Sequence, residues 1–153
     1  MVQQSSIKVV TKNRKARHNY HIFDTWEAGI VLKGTEVKSL RAGTANLKDS
    51  YARLENGEVV LHEFHISAYE KGGYYNHPPT RPRKLLLHKK EIRKLKGKVE
   101  EKGLTLIPLQ VYFKNGKAKV QLGLAKGKKI YDKRVDIAKR DSEMEVRRSM
   151  KNY

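Results

Sequence analysis

Two Asn-Gly dipeptides, at 56–57 and 115–116, each stand between two short apolar runs. Asn-Gly suits the centre of a two-residue hairpin turn, where both residues take positive φ and most side chains would clash. Residues 50–54 and 58–64 flank the first turn, with alternation visible in Val59 and Leu61. Before the second turn, Ile107, Leu109, Val111 and Phe113 are expected on one strand face; after it, Val120, Leu122 and Leu124 share another. Residues 20–32 are rich in aromatic, aliphatic and β-branched side chains and read as one or two further strands. Several short strands with a helix inserted late imply a small antiparallel β-barrel of oligonucleotide-binding type, mainly β with short helices.

The other segments fit around those strands. Residues 35–40 predict a short helical turn. Ile92, Leu95 and Val99 recur at spacings of three and four, which predicts a helix over 88–102, open to a break at Gly97 and stopped by Gly103. Residues 70–83 hold two glycines and three prolines and read as loop. Residues 1–12 are polar and are expected to form a flexible arm ahead of a domain at 13–126. From Gly127 to 153 the charges are mixed in sign, and Val135, Ala138, Val146 and Met150 are scattered among them. Such a tail lacks the apolar density to pack by itself and is expected to turn helical on a partner.

Charge narrows the function. The 153 residues carry 34 Lys+Arg against 16 Asp+Glu, a net +18. Clustered cations bind phosphate by releasing counterions, so nucleic acid is the expected partner. An anionic membrane would call for an amphipathic helix with bulky apolar residues, and only the tail could qualify, with too few of them. No apolar run approaches the ~20 residues that span a bilayer. The N-terminus lacks a secretory apolar core, and there is no cysteine. Both suit a reducing cytoplasm.

The cations cluster. Lys8, Lys12, Arg14, Lys15 and Arg17 have no acid among them. Arg81, Arg83, Lys84, Lys89, Lys90, Arg93, Lys94, Lys96 and Lys98 face one acid, Glu91. A solvated helix mixes signs to form i,i+4 pairs, so an unmixed cluster points to phosphate contact. Leu85, Leu86 and Leu87 lie among these charges; either all three pack, or, in an extended segment, Leu85 and Leu87 face the core and Leu86 faces outward. Glu27 is an acid in a basic setting. It reads either as a surface partner for a lysine or as an acceptor for base amino and imino protons.

Catalysis finds little support. His62 and His65 are three apart, which on a strand sends them to opposite faces, against paired metal ligation. GLAKGKK at 123–129 lacks the spacing and terminal hydroxyl of a nucleotide-hydrolysing phosphate loop. No catalytic residue, metal site or cofactor is expected.

Four stretches in order, NRKARHNY at 13–20, EAGIVLKGTEVKSLRAG at 27–43, TRPRKLLLHKKEI at 80–92 and GLAKGKKIYDKR at 123–134, together with MKN at 150–152, resemble the small protein B family (SmpB, the SsrA-binding proteins of bacterial trans-translation). The resemblance implies a six-stranded barrel with short helices around it. It implies binding to the tRNA-like domain of transfer-messenger RNA (tmRNA) through Asn13, Arg14, Lys15, Arg17, Glu27, Gly29, Lys38, Ser39, Arg41, Gly43, Arg81, Arg83, Lys84, Leu86, His88 and Lys89. The leucine matching Leu86 contacts RNA in that family. Lys126, Gly127, Lys128, Lys129, Tyr131, Asp132, Lys133, Arg134, Met150 and Lys151 would meet the decoding centre and the empty messenger channel. Many family members have histidine where this chain has Tyr131; both rings stack, but only histidine protonates near neutrality.

The implied role is a non-enzymatic adaptor that delivers tmRNA to stalled ribosomes, where the protein replaces a missing anticodon arm and reads small-subunit ribosomal RNA. Elongation factor Tu and alanyl-tRNA synthetase are implied partners through the shared RNA. A general structural RNA-binding protein, or one associated with the ribosome, would bind duplexes broadly and need no special role for Glu27 or Tyr131. An RNA-processing enzyme would use His18 or His88 as acid or base.

Overall fold

The computed structural model describes residues 6–73, 76–128 and 130–151, the side chains of 130–133 and 149–151 excepted. In chain order the elements are β1 (Ile7–Lys12), α1 (Ala16–Asn19), β2 (Tyr20–Ile30), α2 (Gly34–Arg41), β3 (Ala45–Asn46), β4 (Tyr51–Glu55), β5 (Glu58–His62), β6 (His65–Ile66), β7 (Arg83–Leu86), α3 (Lys89–Lys102), β8 (Thr105–Lys114), β9 (Lys117–Gly127) and α4 (Ile130–Lys151). The main sheet runs β1-β8-β4-β5-β7-β2-β9, and β8 also pairs with β9. That last pairing closes six strands into a barrel and leaves β1 as an added edge on β8.

Both hairpin turns form as expected. Asn56 and Gly57 have φ of 51° and 77°, and Asn115 and Gly116 have 51° and 78°. Two successive positive φ values match the right-handed twist of the flanking strands, and Asn-Gly is among the few pairs that hold them cheaply.

The barrel closes unevenly. β2 and β9 pair along most of their length, whereas β2 meets β7 only at Gly29↔Leu86 and Ile30↔Leu85, and β4 meets β8 only at Ala52↔Leu106. Two bulges shape it further. In β2 the register jumps between Ile22 and Asp24; in β8 it jumps between Pro108 and Gln110. A bulge inserts one residue and sends the following side chains to the opposite face. The expected single face for Ile107, Leu109, Val111 and Phe113 is therefore divided. Leu106, Val111 and Phe113 enter the main core with Val120, Leu122 and Leu124. Ile107 and Leu109 join Ala16 and Ala125 in a second cluster under α1.

The expected flexible arm at 1–12 is corrected for its second half. Ile7–Lys12 pairs antiparallel with β8, from Ile7↔Lys114 to Lys12↔Gln110. Ile7 and Val9 remain exposed while Val10 packs against the main core, so the strand is held by backbone pairing and by Val10, which leaves little trace in apolar pattern.

α3 continues through Gly97 and ends at Gly103, whose φ of 62° gives the left-handed stop. Its Leu95 is fully buried in the main core, with Ile92 and Val99 packed beside it. At the other end the Glu91 carboxylate accepts the His88 backbone N–H at 3.3 Å. The tail, expected to turn helical only on a partner, is already helical in the chain alone as α4, and Val135, Ile137, Met144 and Val146 stay exposed on it. No helix among the described residues is long and apolar enough to cross a membrane.

Candidate nucleic-acid interface

Strand alternation places the first group. Along β2, Ala28 and Ile30 are buried, so Glu27 and Gly29 face outward. Along β7, Leu85 is 1% exposed and Leu86 is 51% exposed. Gly29 lies directly opposite Leu86, and a Cβ on Gly29 would come within 3.2 Å of the Leu86 Cβ. The missing side chain at Gly29 lets Leu86 lie flat across the seam. The outcome is an exposed apolar side chain with Lys84 beside it and His88 and Lys89, both exposed, just beyond. Lys84 is held by Glu58 at 2.8 Å. Leu87 is partly buried against the main core, as expected from its parity with Leu85.

Glu27 is held by β8. The Tyr112 hydroxyl donates to its Oε2 at 2.5 Å, and Lys114 Nζ lies 3.4 Å from the same oxygen. The Tyr112 bond is the main cause that holds the Glu27 carboxyl below the ordinary carboxylate value, against a smaller upward push from burial, with Lys114 helping. Burial and the adjacent carboxylate push the Tyr112 hydroxyl up, so it stays a donor. Glu27 is therefore a fixed anion, and its side chain remains 39% exposed. Glu27 has a lysine partner in Lys114, and it keeps acceptor capacity toward solvent, since a carboxylate accepts about four hydrogen bonds.

The α2 group is divided. Lys38 and Arg41 are exposed; Lys38 Nζ sits 5.6 Å from the Tyr69 ring centre and the Arg41 guanidinium 5.8 Å from that of Phe113. Gly43, with φ of 78°, follows the helix. Ser39 is corrected: it is 1% exposed, and its side chain is not available to RNA at the surface.

Arg83 is the larger correction. It is 1% exposed and donates through Nε to Glu36 Oε2 at 2.7 Å and through Nη2 to the Pro79 carbonyl at 3.1 Å. Glu36, itself 5% exposed, also accepts the Lys33 N–H at 2.8 Å and Arg81 Nη2 at 2.6 Å. Burial pushes the Glu36 carboxyl up, but its bonds from Arg81, Lys33 and Arg83 together hold it below the ordinary value. Arg83 is thus a structural cation tying α2 to β7, and Arg81 is partly committed to the same acid. Counting charges along 81–98 missed Glu36 because it lies 47 residues before Arg83.

The N-terminal group sits elsewhere on the barrel. Asn13 donates its backbone N–H to the Leu109 carbonyl at 2.8 Å and its side-chain amide to the Pro108 carbonyl at 3.0 Å, which leaves its Oδ1 as an acceptor. Asn13, Arg14 and Lys15 line a groove of about 820 Å³, with Lys48 and Arg53 across it. Glu27, Gly29 and Leu86 do not line that groove. Lys48 and Arg53 were missed by sequence reasoning, since each is isolated from other cations in its own segment. Arg17 is exposed on α1, outside the groove.

Lys126 and Gly127 are exposed at the end of β9. Lys128 donates its N–H to the Asn19 carbonyl at 2.8 Å and its ammonium to Asp136. Arg140 Nη2 approaches His18 Nδ1 at 3.4 Å, so α1 borders α4. Arg134 is exposed. Lys129 and the side chains of Tyr131, Asp132, Lys133, Met150 and Lys151 lie outside the described residues. Among the described residues no group of three His, Cys, Asp or Glu is placed to hold a metal ion. His62 pairs with Glu55 at 2.6 Å.

A family model described as SmpB protein matches residues 10–152. The chain belongs to the SmpB family. It is 67% identical to the SsrA-binding protein of Desulforudis audaxviator over 142 residues, 93% of each chain. It is 64% identical to that of Pelotomaculum thermopropionicum over 146 residues, 95% of each. A solved structure described as "tmRNA-SmpB: a journey to the center of the bacterial ribosome" superposes with a TM-score of 0.66 at 61% identity, over 78% of this chain and 85% of that one. The SmpB barrel expected from the four motifs is the architecture found.

Proposed function

We propose that this chain is a tmRNA-binding adaptor of trans-translation. The observation that carries the reading is its 61% identity to a chain solved as tmRNA-SmpB of the bacterial ribosome, together with relatives named SsrA-binding protein. The barrel binds the tRNA-like domain of tmRNA. The outward wall formed by Glu27, Gly29, Lys84 and Leu86 meets the RNA with one fixed anion, one apolar side chain and flanking cations. Lys38, Arg41, His88 and Lys89 extend the contact, and Asn13, Arg14, Lys15 and Arg17 add a second cationic border. An anion at such a place repels phosphate, so it serves a base edge, which offers N–H donors.

α4 enters the decoding centre and the empty messenger channel of the stalled ribosome, where it takes the place of an anticodon arm. A 22-residue helix with mixed charge and no continuous apolar stripe gains little from the barrel. Such helices depend on a partner for their stability. The chemistry is positioning and electrostatics, and peptide transfer stays with the ribosome. Elongation factor Tu and alanyl-tRNA synthetase join through the RNA, in the cytoplasm. The test is to identify the RNA that copurifies with the chain: tmRNA enriched over bulk ribosomal and transfer RNA supports the reading, and recovery in proportion to cellular abundance contradicts it.

A further inference from the structure

The β2 bulge has a consequence on the outside of the barrel. Ile22 pairs with Ala125 and Asp24 with Leu124, which leaves Phe23 without an opposite residue. Phe23 is 61% exposed, more than any other large apolar side chain described. One exposed apolar residue means nothing by itself. This one, however, borders a cavity of about 310 Å³ between β2 and the end of α3, also lined by Lys98, Lys102, Lys126, Leu104 and Asp24. Asp24 is occupied in part by its neighbour, accepting the Thr25 N–H at 2.8 Å. Lys98 sits 3.9 Å from Asp24 and 5.5 Å from the centre of the Trp26 ring. Lys102 and Lys126 have no carboxylate partner among the described residues. An open aromatic face beside two unpaired ammonium groups, over a cavity at the small end of ligand-binding size, matches what an unpaired nucleotide requires: a stacking platform and charges for the flanking phosphates.

We infer that Phe23, Lys102 and Lys126 form a subsite for one unpaired nucleotide of RNA, the base stacked on Phe23 and its phosphates on the two lysines. The inference rests on the RNA-binding reading above but not on Glu27 or Leu86. Along β2, Phe23 and Gly29 are six residues apart, on the order of 20 Å. Stacking on Phe is tolerant of base identity, so this subsite contributes grip rather than sequence choice.

The test uses the full chain and a five-residue oligoadenylate. Trp26 is the one tryptophan, and its neighbour Lys98 lines the cavity, so its emission reports binding. Phe23→Ser should weaken the oligonucleotide about tenfold, Phe23→Tyr should keep it, and Lys102→Ala with Lys126→Ala should flatten its salt dependence. NMR of the wild type should show the Phe23 ring resonances moving on titration. Equal affinity for wild type and Phe23→Ser, or a ring that does not respond, would overturn the subsite, and so would a Phe23 effect seen only with protein partners. Two further arms assign the source: a Phe23→Ser loss on tmRNA places the nucleotide there, a loss on small ribosomal subunits places it in ribosomal RNA, and a loss on neither overturns the inference. Wild-type preference for tmRNA over an unrelated hairpin is measured alongside. If that preference is missing while the oligonucleotide results hold, the adaptor reading fails and the subsite stands.

Discussion

The Tyr112 hydroxyl reaches from β8 past β9 to Glu27 on β2 and bonds its Oε2 at 2.5 Å. That contact fixes an anion on a surface built to attract phosphate. If Glu27 accepts from a base edge, Glu27→Ala should weaken tmRNA by about tenfold, near the low end of what one good base contact contributes, although the change makes the protein more positive. Stronger or unchanged binding in a filter or fluorescence assay would count against base contact. Tyr112→Phe should raise the Glu27 pKa toward the ordinary carboxylate value, readable by NMR titration, because its main cause of depression is gone.

Leu86 and Gly29 make a second, separable prediction. Leu86→Ala removes an exposed side chain and should change stability by less than about 0.5 kcal/mol, while weakening tmRNA several-fold. Leu85→Ala, one residue earlier and fully buried, should cost about 2–5 kcal/mol and leave the RNA contact chemistry intact in whatever fraction folds. Gly29→Val puts a branched side chain where even a Cβ would stand 3.2 Å from Leu86, and should mimic Leu86→Ala in binding. Paired denaturation and RNA-binding curves separate these outcomes.

Glu36 carries the pH dependence of the fold. Its carboxyl is held below its unfolded value, so its contribution is complete above the ordinary carboxylate range, about 4.3. It is lost as pH falls through the lower folded value. Glu36→Gln leaves Arg83 buried without its counter-charge and should cost about 3 kcal/mol at pH 7. Urea unfolding between pH 3 and 7 should show a steep acid limb in the wild type and a shallower one in the variant.

Removing the chain from Gly127 onward should leave the barrel folded and its tmRNA affinity close to that of the full chain, and should abolish peptide tagging on stalled ribosomes. Among the described residues the barrel core includes none of α4; Arg140 on α4 approaches His18 on α1, and Lys128, just ahead of α4, bonds the Asn19 carbonyl and pairs with Asp136. A joint loss of affinity and tagging would mean that the tail belongs to the RNA-gripping unit.

Local chemistry was the legible part of this sequence. Asn-Gly at 56–57 and 115–116 announced both hairpins, and parity together with the family resemblance sorted Leu85 from Leu86. Features that depend on distant partners were not legible. The β8–β9 closure is a long hairpin, but the seams at Gly29↔Leu86 and Ala52↔Leu106 are so short that no pattern in either strand marks them. The bulge at Leu109 looked like uninterrupted alternation, because an extra apolar residue leaves the composition unchanged. Arg83 looked like one more phosphate-facing cation because its counter-charge sits on α2, and Ser39 faced the core for the same reason that Glu36 does. The edge strand β1 read as an arm because residues 1–12 are largely polar, whereas its pairing with β8 is made by the backbone.

The most direct measurement compares affinity for the tRNA-like domain of tmRNA with that for an unrelated stem-loop of equal length as salt is raised. Phosphate contact weakens for both along the same logarithmic slope, whereas base and apolar contacts do not. A preference for the tmRNA domain that persists at elevated salt, and that drops in Glu27→Ala and Leu86→Ala, is the predicted result. Equal affinities that decline in parallel would contradict it.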